Sequence, residues 1–154
     1  MTRINLVPPE ELMDQHLFAE FREIKMVPKS LRRSLEAAER RHLLTTDARN
    51  SVLKKIPPAY TLNTGHVSFF YDKGAYLVDR YSALKEELRD RGIDFNEDSP
   101  LDPDGVFRDL AEHGFFKNYE PTPEALELVR QRIAEKIALK PSWYRYRGVP
   151  NGSV

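Results

Sequence analysis

Residues 8–24, PPEELMDQHLFAEFREI, decide the fold. Two prolines followed by two carboxylates read as a helix opening, because proline is tolerated in a first turn and acidic side chains face the positive end of the helix dipole. Beyond them Met13, Leu17, Phe21 and Ile24 recur at i, i+4, i+8 and i+11, which lays one apolar stripe along a helix and turns it toward a core. Pro28 then kinks or interrupts that helix, and the basic run from Lys29 to Arg41 continues it. Residues 42–58 have weak periodicity and end in Pro57 and Pro58, so they read as a short helix with loops. From Val67 to Arg91 the helical pattern returns, with Leu77, Tyr81, Leu84 and Leu88 on one side and Gly92 as the C-terminal cap. The acidic stretch 95–105, FNEDSPLDPDG, reads as a loop in which Asp102 and Pro103 cap a short helix ending near Gly114. Thr122 and Pro123 open a last long helix that Pro141 stops after Lys140, with Leu126, Val129, Ile133 and Ile137 as its buried stripe. No strand-like alternation is long enough to build a sheet, and there is no internal repeat. The expected fold is mainly α, a single compact domain over residues 1–154 with about three principal helices plus short helices and long loops.

The whole-chain numbers bound the chemistry. A chain of 154 residues, 40% hydrophobic and 31% charged, fits one domain with its own core. It contains no cysteine, which excludes disulfide frameworks, thiolate metal sites and cysteine nucleophiles, and its histidines at 16, 42, 66 and 113 lack metal-ligand spacing. The opening MTRINLVPPEEL carries charge and two prolines where a signal peptide needs an apolar core, and no stretch approaches the ~18 apolar residues of a membrane span. The chain is therefore read as a cytoplasmic monomer without membrane contact, metal or cofactor.

Formal net charge is zero, which by itself speaks against a nucleic-acid partner, but the charges are segregated. Residues 22–55 hold ten basic side chains against four acidic ones, a net of +6, and residues 130–147 hold six against one, a net of +5. Residues 79–112 hold eleven acids against five bases, a net of −6. Such a chain can present a basic face to a polyanion while staying neutral overall, although ordinary solvated helix faces would give the same count.

Two places combine residue types that carry chemistry. On the first helix His16 and Glu23 lie two turns apart and point to nearly the same side, with Arg22 about 100° around from Glu23. Arg22, Lys25, Lys29 and Arg32 make a basic ridge. A carboxylate in basic surroundings can accept a proton or stabilise a cation, and it can equally be an intrahelical ion-pair partner. Near the C-terminus PSWYRYRG at 141–148 interleaves aromatics and arginines, which suits stacking on bases beside phosphate contacts, or strapping the tail to the core. The run GHVSFFYDK at 65–73 reads as mostly structural, with His66 either capping a helix or touching a substrate.

These elements together resemble the phage endonuclease V family, the pyrimidine-dimer DNA glycosylase/AP lyases. MTRINL at the start, DQHL at 14–17, AE at 19–20 and RE at 22–23 follow its N-terminal pattern without a gap. GHVSFFYDK and PSWYRYRG follow its other two signature stretches, weaker similarity fills much of 115–140, the segment 34–58 is longer than in the phage enzyme, and 93–114 diverges. The resemblance implies a mainly α single domain that flips a nucleotide out of kinked, damaged double-stranded DNA, and localises to the nucleoid through that DNA. It implies loss of Met1 and a nucleophile at the nitrogen of Thr2, with Glu23 as the catalytic acidic residue. Arg3, His16 and Arg22 then hold DNA or position that carboxylate, Arg132 and Lys136 bind DNA, and Trp143, Tyr144 and Tyr146 form the aromatic block. Met26 stands where the family pattern has an arginine, so that contact is lost or shifts to Lys25 or Lys29.

An α-amine suits this role. Its ordinary pKa of about 7.7 to 8.0, against about 10.4 for lysine, leaves a neutral fraction at pH 7 larger by roughly two to three powers of ten, and nearby Arg3 and Arg22 would raise it further. Two other readings stay open: a family enzyme acting on oxidised bases or abasic sites, and a noncatalytic DNA-binding module.

Overall fold

The apolar stripe at Leu17, Phe21 and Ile24 is buried, and helix α1 (Asp14–Glu23) carries most of it into the core. The computed structural model describes residues 3–39 and 45–152. Met1 and Thr2 lie outside the described residues, as do Arg40 and Arg41 of the basic run. The helix opening expected at Pro8 and Pro9 is a separate 3-10 turn (Pro9–Glu11), and α1 begins only at Asp14, with Met13 as its N-cap. Ile24 and Lys25 form a turn, after which α2 (Met26–Glu39) starts afresh. Pro28 thus sits in the first turn of a new helix, where its missing N–H has no partner to lose, rather than kinking an old one.

Helix α3 (Thr45–Lys54) packs on α2 through Ala48 and Val52. The segment expected as one helix from Val67 to Arg91 divides into a 3-10 turn (Ser68–Phe70) and α4 (Gly74–Asp90). At the start of α4 a Cβ on Gly74 would lie 2.7–2.9 Å from Phe116, Phe107 and the Phe115 carbonyl, so the chain passes where only glycine fits. Leu77, Tyr81, Leu84 and Leu88 are buried on α4 as their spacing requires. Gly92, at φ +69°, and Ile93 close α4 with N–H bonds to the Arg89 and Leu88 carbonyls, the paired bonds of a glycine C-cap. The Asp102 carboxylate accepts from the N–H groups of Val106 and Phe107 and caps the single-turn α5 (Val106–Asp109). Thr122 caps α6 (Pro123–Leu139) through the Ala125 N–H at 3.1 Å. On α6 only Ala125 and Val129 are fully buried, while Leu126, Ile133 and Ile137 are half-exposed, because one side of this helix faces a cleft and not the core. The tail ends in a hairpin of two-residue strands, β1 (Arg145–Tyr146) and β2 (Val149–Pro150), turned by Arg147 and Gly148 at positive φ. The mainly helical expectation holds. Beside the long helices α2, α4 and α6 stand two ten-residue helices, α1 and α3.

Helices α1 and α4 are joined by a buried ion pair that sequence patterning did not reveal. The Arg80 guanidinium donates to both oxygens of Glu20 at 2.7 and 2.9 Å and to the Val7 carbonyl. Arg80→Met should lower stability by about 3 kcal/mol, because it leaves the Glu20 carboxylate buried without its partner. Adding Glu20→Leu should restore much of that loss in a urea titration; equal midpoints for wild type and Arg80→Met would show that the pair contributes nothing.

Candidate active site

Residues 3–7 carry no helix or strand, yet residues 3–5 and 7 are held by side chains from three other segments. The Arg3 N–H donates to Glu23 Oε2 at 3.0 Å. The Ile4 N–H donates to His66 Nε2 at 2.9 Å, and the Ile4 carbonyl accepts from the Tyr60 hydroxyl at 2.7 Å. The Asn5 N–H donates to Glu20 Oε1 at 3.1 Å. These bonds supply partners that a strand ladder would otherwise provide. Leu6 turns the segment at φ +59°, a left-handed conformation uncommon for a leucine, and the surrounding contacts hold it there.

Beside this segment opens a cleft of about 350 Å³. One wall is the face of α1 that carries His16, Ala19, Glu20 and Glu23, residues that share a side by helical spacing. The opposite wall comes from α6, with Arg132, Ile133 and Lys136, and the rim from Trp143 and Tyr144. Arg3 and Asn5 bring the N-terminal segment into the lining, and the Arg3 guanidinium donates to the Leu62 carbonyl. The His16 ring lies against Tyr144 with centroids 4.7 Å apart. Trp143 is 55% exposed at the rim.

Basic side chains crowd one another in the cleft. Burial pushes the Arg3 pKa below its ordinary value, and neighbouring Arg132 acts in the same direction. Burial also lowers the His16 pKa, with Lys136 adding to it, so the ring is held neutral. Both His16 ring nitrogens and Arg132 Nε are buried without a hydrogen-bond partner among the described residues. Buried polar atoms are nearly always paired, and these three belong to residues lining one cleft, which is where a ligand would satisfy them.

The structure therefore brings together Arg3, His16, Glu23, Arg132, Lys136, Trp143 and Tyr144. It places four other expected residues elsewhere. Arg22 is exposed on the flank of α1, its guanidinium 6.0 Å from the Phe18 ring. Lys25 donates to Ser99 Oγ at 2.7 Å and lies over the Phe21 ring, which ties α1 to the acidic loop. Lys29 is exposed on α2. The Tyr146 hydroxyl donates to the Glu10 carbonyl at 2.8 Å, with Arg91 4.6 Å from its ring, so this tyrosine straps the tail down. Arg147 is likewise engaged, by Asp90 and Glu87, and Arg32 by Glu36 and Asp104. Thr2 lies outside the described residues.

Gln15 and Glu20 line the cleft without having been singled out. Gln15 donates to the Trp143 carbonyl at 2.6 Å and accepts from the Arg145 N–H, fixing the rim to α1. Glu20 lies four residues after His16 and three before Glu23, so extending the helical face by one position would have found it. No group of histidines and carboxylates among the described residues has the arrangement of a metal site, and no helix among them is long and apolar enough to cross a membrane.

His66 is buried, with Nδ1 2.8 Å from the Thr61 carbonyl, and neither caps a helix nor lines the cleft. Burial lowers its pKa, as it does that of His16. Between those lowered values and the ordinary 6.5 the unfolded chain binds more protons than the folded one, so stability rises with pH across this window. The urea midpoint should accordingly fall as pH is lowered from 7 through about 6.5 toward 5. A midpoint unchanged between pH 7 and pH 5 would contradict neutral burial of these rings.

Residues 1–101 match a family model described as pyrimidine dimer DNA glycosylase. The matched part contains α1, the clamped N-terminal segment and Glu23, whereas the α6 wall and aromatic rim follow it in the chain.

Proposed function

Because the chain belongs to the pyrimidine dimer DNA glycosylase family, a family of DNA-repair enzymes, we propose that it excises UV-induced pyrimidine dimers and then nicks the strand through an imine on its own N-terminal amine. The observation that carries this reading is the hydrogen bond from the Arg3 N–H to Glu23 Oε2. It sets the carboxylate on an amide nitrogen that is three covalent bonds along the chain from the Thr2 nitrogen. A binding module has no need to hold its first residues against a carboxylate.

In the proposed reaction the neutral α-amine of Thr2 attacks C1′ of the damaged nucleotide. The C1′–N bond breaks and its electron pair leaves with the base, which takes up a proton. Ring opening and loss of the nitrogen's proton give the imine; removal of a proton from C2′ then expels the 3′ phosphate by β-elimination. Glu23 stabilises positive charge developing on the sugar and shuttles the protons of ring opening and elimination. Arg3, Arg132 and Lys136 meet the backbone phosphates, and the exposed Trp143 ring, backed by the buried Tyr144, offers a stacking surface. Extruding a nucleotide costs a few kcal/mol and less where damage has weakened stacking, so lesions are the easier substrate.

The direct test is a panel of defined duplexes carrying a cyclobutane pyrimidine dimer, an oxidised base, an abasic site or no lesion. Cleavage of one glycosidic bond of the dimer, with the freed base still tethered to its neighbour through the cyclobutane ring, followed by a β-elimination nick is expected, with undamaged duplex intact. An enzyme that leaves the dimer untouched and cuts an oxidised base would overturn the substrate assignment, and inertness toward all four would overturn catalysis. Arg132→Ala and Arg22→Ala should each reduce the salt slope of duplex binding by about one unit, the effect of one phosphate contact. Arg147→Ala should leave the slope unchanged, because its guanidinium is paired with Asp90 at 2.7 Å.

A further inference from the structure

The bonds that hold the N-terminal segment are unequal in kind. Glu20 and Glu23 accept from Asn5 and Arg3 as carboxylates, but Ile4 is gripped at both its backbone groups, by His66 on the nitrogen and Tyr60 on the oxygen. A backbone N–H faces His66 Nε2, so that nitrogen is an acceptor and the ring's proton sits on Nδ1, donated to the Thr61 carbonyl. A proton on Nε2 would set two N–H groups against each other and break the Ile4 bond.

We propose that His66, together with Tyr60, is a positioning residue of the reaction: its neutral ring locks Ile4, and with it the register of the residues before it, and protonation of the ring releases that lock. The inference rests on the N-terminal-amine reading above. Tyr60 and Phe70 close edge-on around the ring at 5.3 and 5.7 Å. The charged groups that face it are Arg3 from the N-terminal segment and Glu20 from α1. Burial, assisted by Arg3, keeps the ring neutral, against the opposing influence of the Thr61 carbonyl and Glu20. The lock is therefore closed at neutral pH and opens in acid. An attacking atom misplaced by about 1 Å can slow a reaction by as much as 10²-fold, so a grip two residues from the nucleophile acts on rate and not on DNA affinity.

The experiment follows borohydride trapping on saturating dimer-containing duplex from pH 5 to pH 8, for wild type, His66→Gln and Tyr60→Phe, each checked for folding by thermal melting. In wild type the logarithm of the rate should fall with slope one where only the amine is protonated, and with slope two once His66 is also protonated. His66→Gln keeps an uncharged acceptor, so it should trap about tenfold more slowly at pH 7.5 yet hold slope one throughout. Tyr60→Phe should trap about tenfold more slowly with unchanged duplex affinity. Equal slopes for wild type and His66→Gln, or wild-type trapping by Tyr60→Phe, would overturn the lock. If His66→Gln melts below the assay temperature, the wild-type slope and Tyr60→Phe decide. If wild type forms no Thr2 adduct, the proposed reaction fails separately, and protection of the Ile4 amide from hydrogen exchange tests the lock. That protection should be lost in acid as His66 takes up a proton; its retention down to the pH at which the chain unfolds would overturn the lock.

Discussion

A chain that keeps Met1 should bind dimer-containing duplex normally and fail to cut it, with trapping slower by on the order of 10⁴-fold or more than in a chain beginning at Thr2. The retained methionine converts the Thr2 nitrogen into an amide, whose lone pair is delocalised into the peptide bond and cannot form an imine. It also moves the free amine about 3.8 Å along the chain, away from Glu23. The grip on Arg3, Ile4 and Asn5 involves only residues downstream, so folding and DNA affinity should survive. Thr2 is a small second residue of the kind that leaves the initiator open to removal, so both forms can be prepared and verified by intact mass. Equal single-turnover rates on one defined lesion would exclude N-terminal catalysis.

Glu23→Gln should retain lesion binding within about twofold and lose base excision by about 10³-fold, the range expected when one charge-stabilising and proton-transferring group is removed. The substitution is conservative in geometry as well as size, because a glutamine oxygen can still accept from the Arg3 N–H that now meets Oε2 at 3.0 Å. The loss would then report charge and proton transfer and not misplacement. Glu20 supplies the contrast. Its carboxylate receives Arg80 and Asn5, so Glu20→Gln should lower the melting temperature while the surviving folded enzyme keeps most of its rate. Near-normal excision by Glu23→Gln would reduce Glu23 to a structural acceptor.

Local periodicity made much of the helical scaffold legible. Leu17, Phe21 and Ile24 on α1, and Leu77 through Leu88 on α4, are buried where their spacing puts them. Caps at Gly92, Asp102 and Thr122 were equally readable, since each acts on backbone groups within a few residues. Pro28 was harder, because proline ends one helix or opens another depending on where the preceding chain turns. The cleft-facing residues of α1 were visible as a helical face, but the pairing of Glu20 with Arg80, 60 positions away, is a tertiary fact that no local pattern encodes. The same holds for His66, whose partner Ile4 lies 62 positions earlier. Composition alone could not separate Trp143 at the cleft rim from Tyr146, which is bound to the Glu10 carbonyl, or a cleft lysine such as Lys136 from Lys25, which holds Ser99.

In the proposed reaction the amine attacking the sugar belongs to Thr2, and the site of the covalent adduct decides it. Borohydride reduction during turnover on a dimer-containing duplex, followed by proteolysis and peptide mass analysis, should place the reduced sugar remnant on the N-terminal peptide at the Thr2 nitrogen. An adduct on a lysine such as Lys136, or cleavage of the glycosidic bond without any covalent adduct, would contradict N-terminal catalysis.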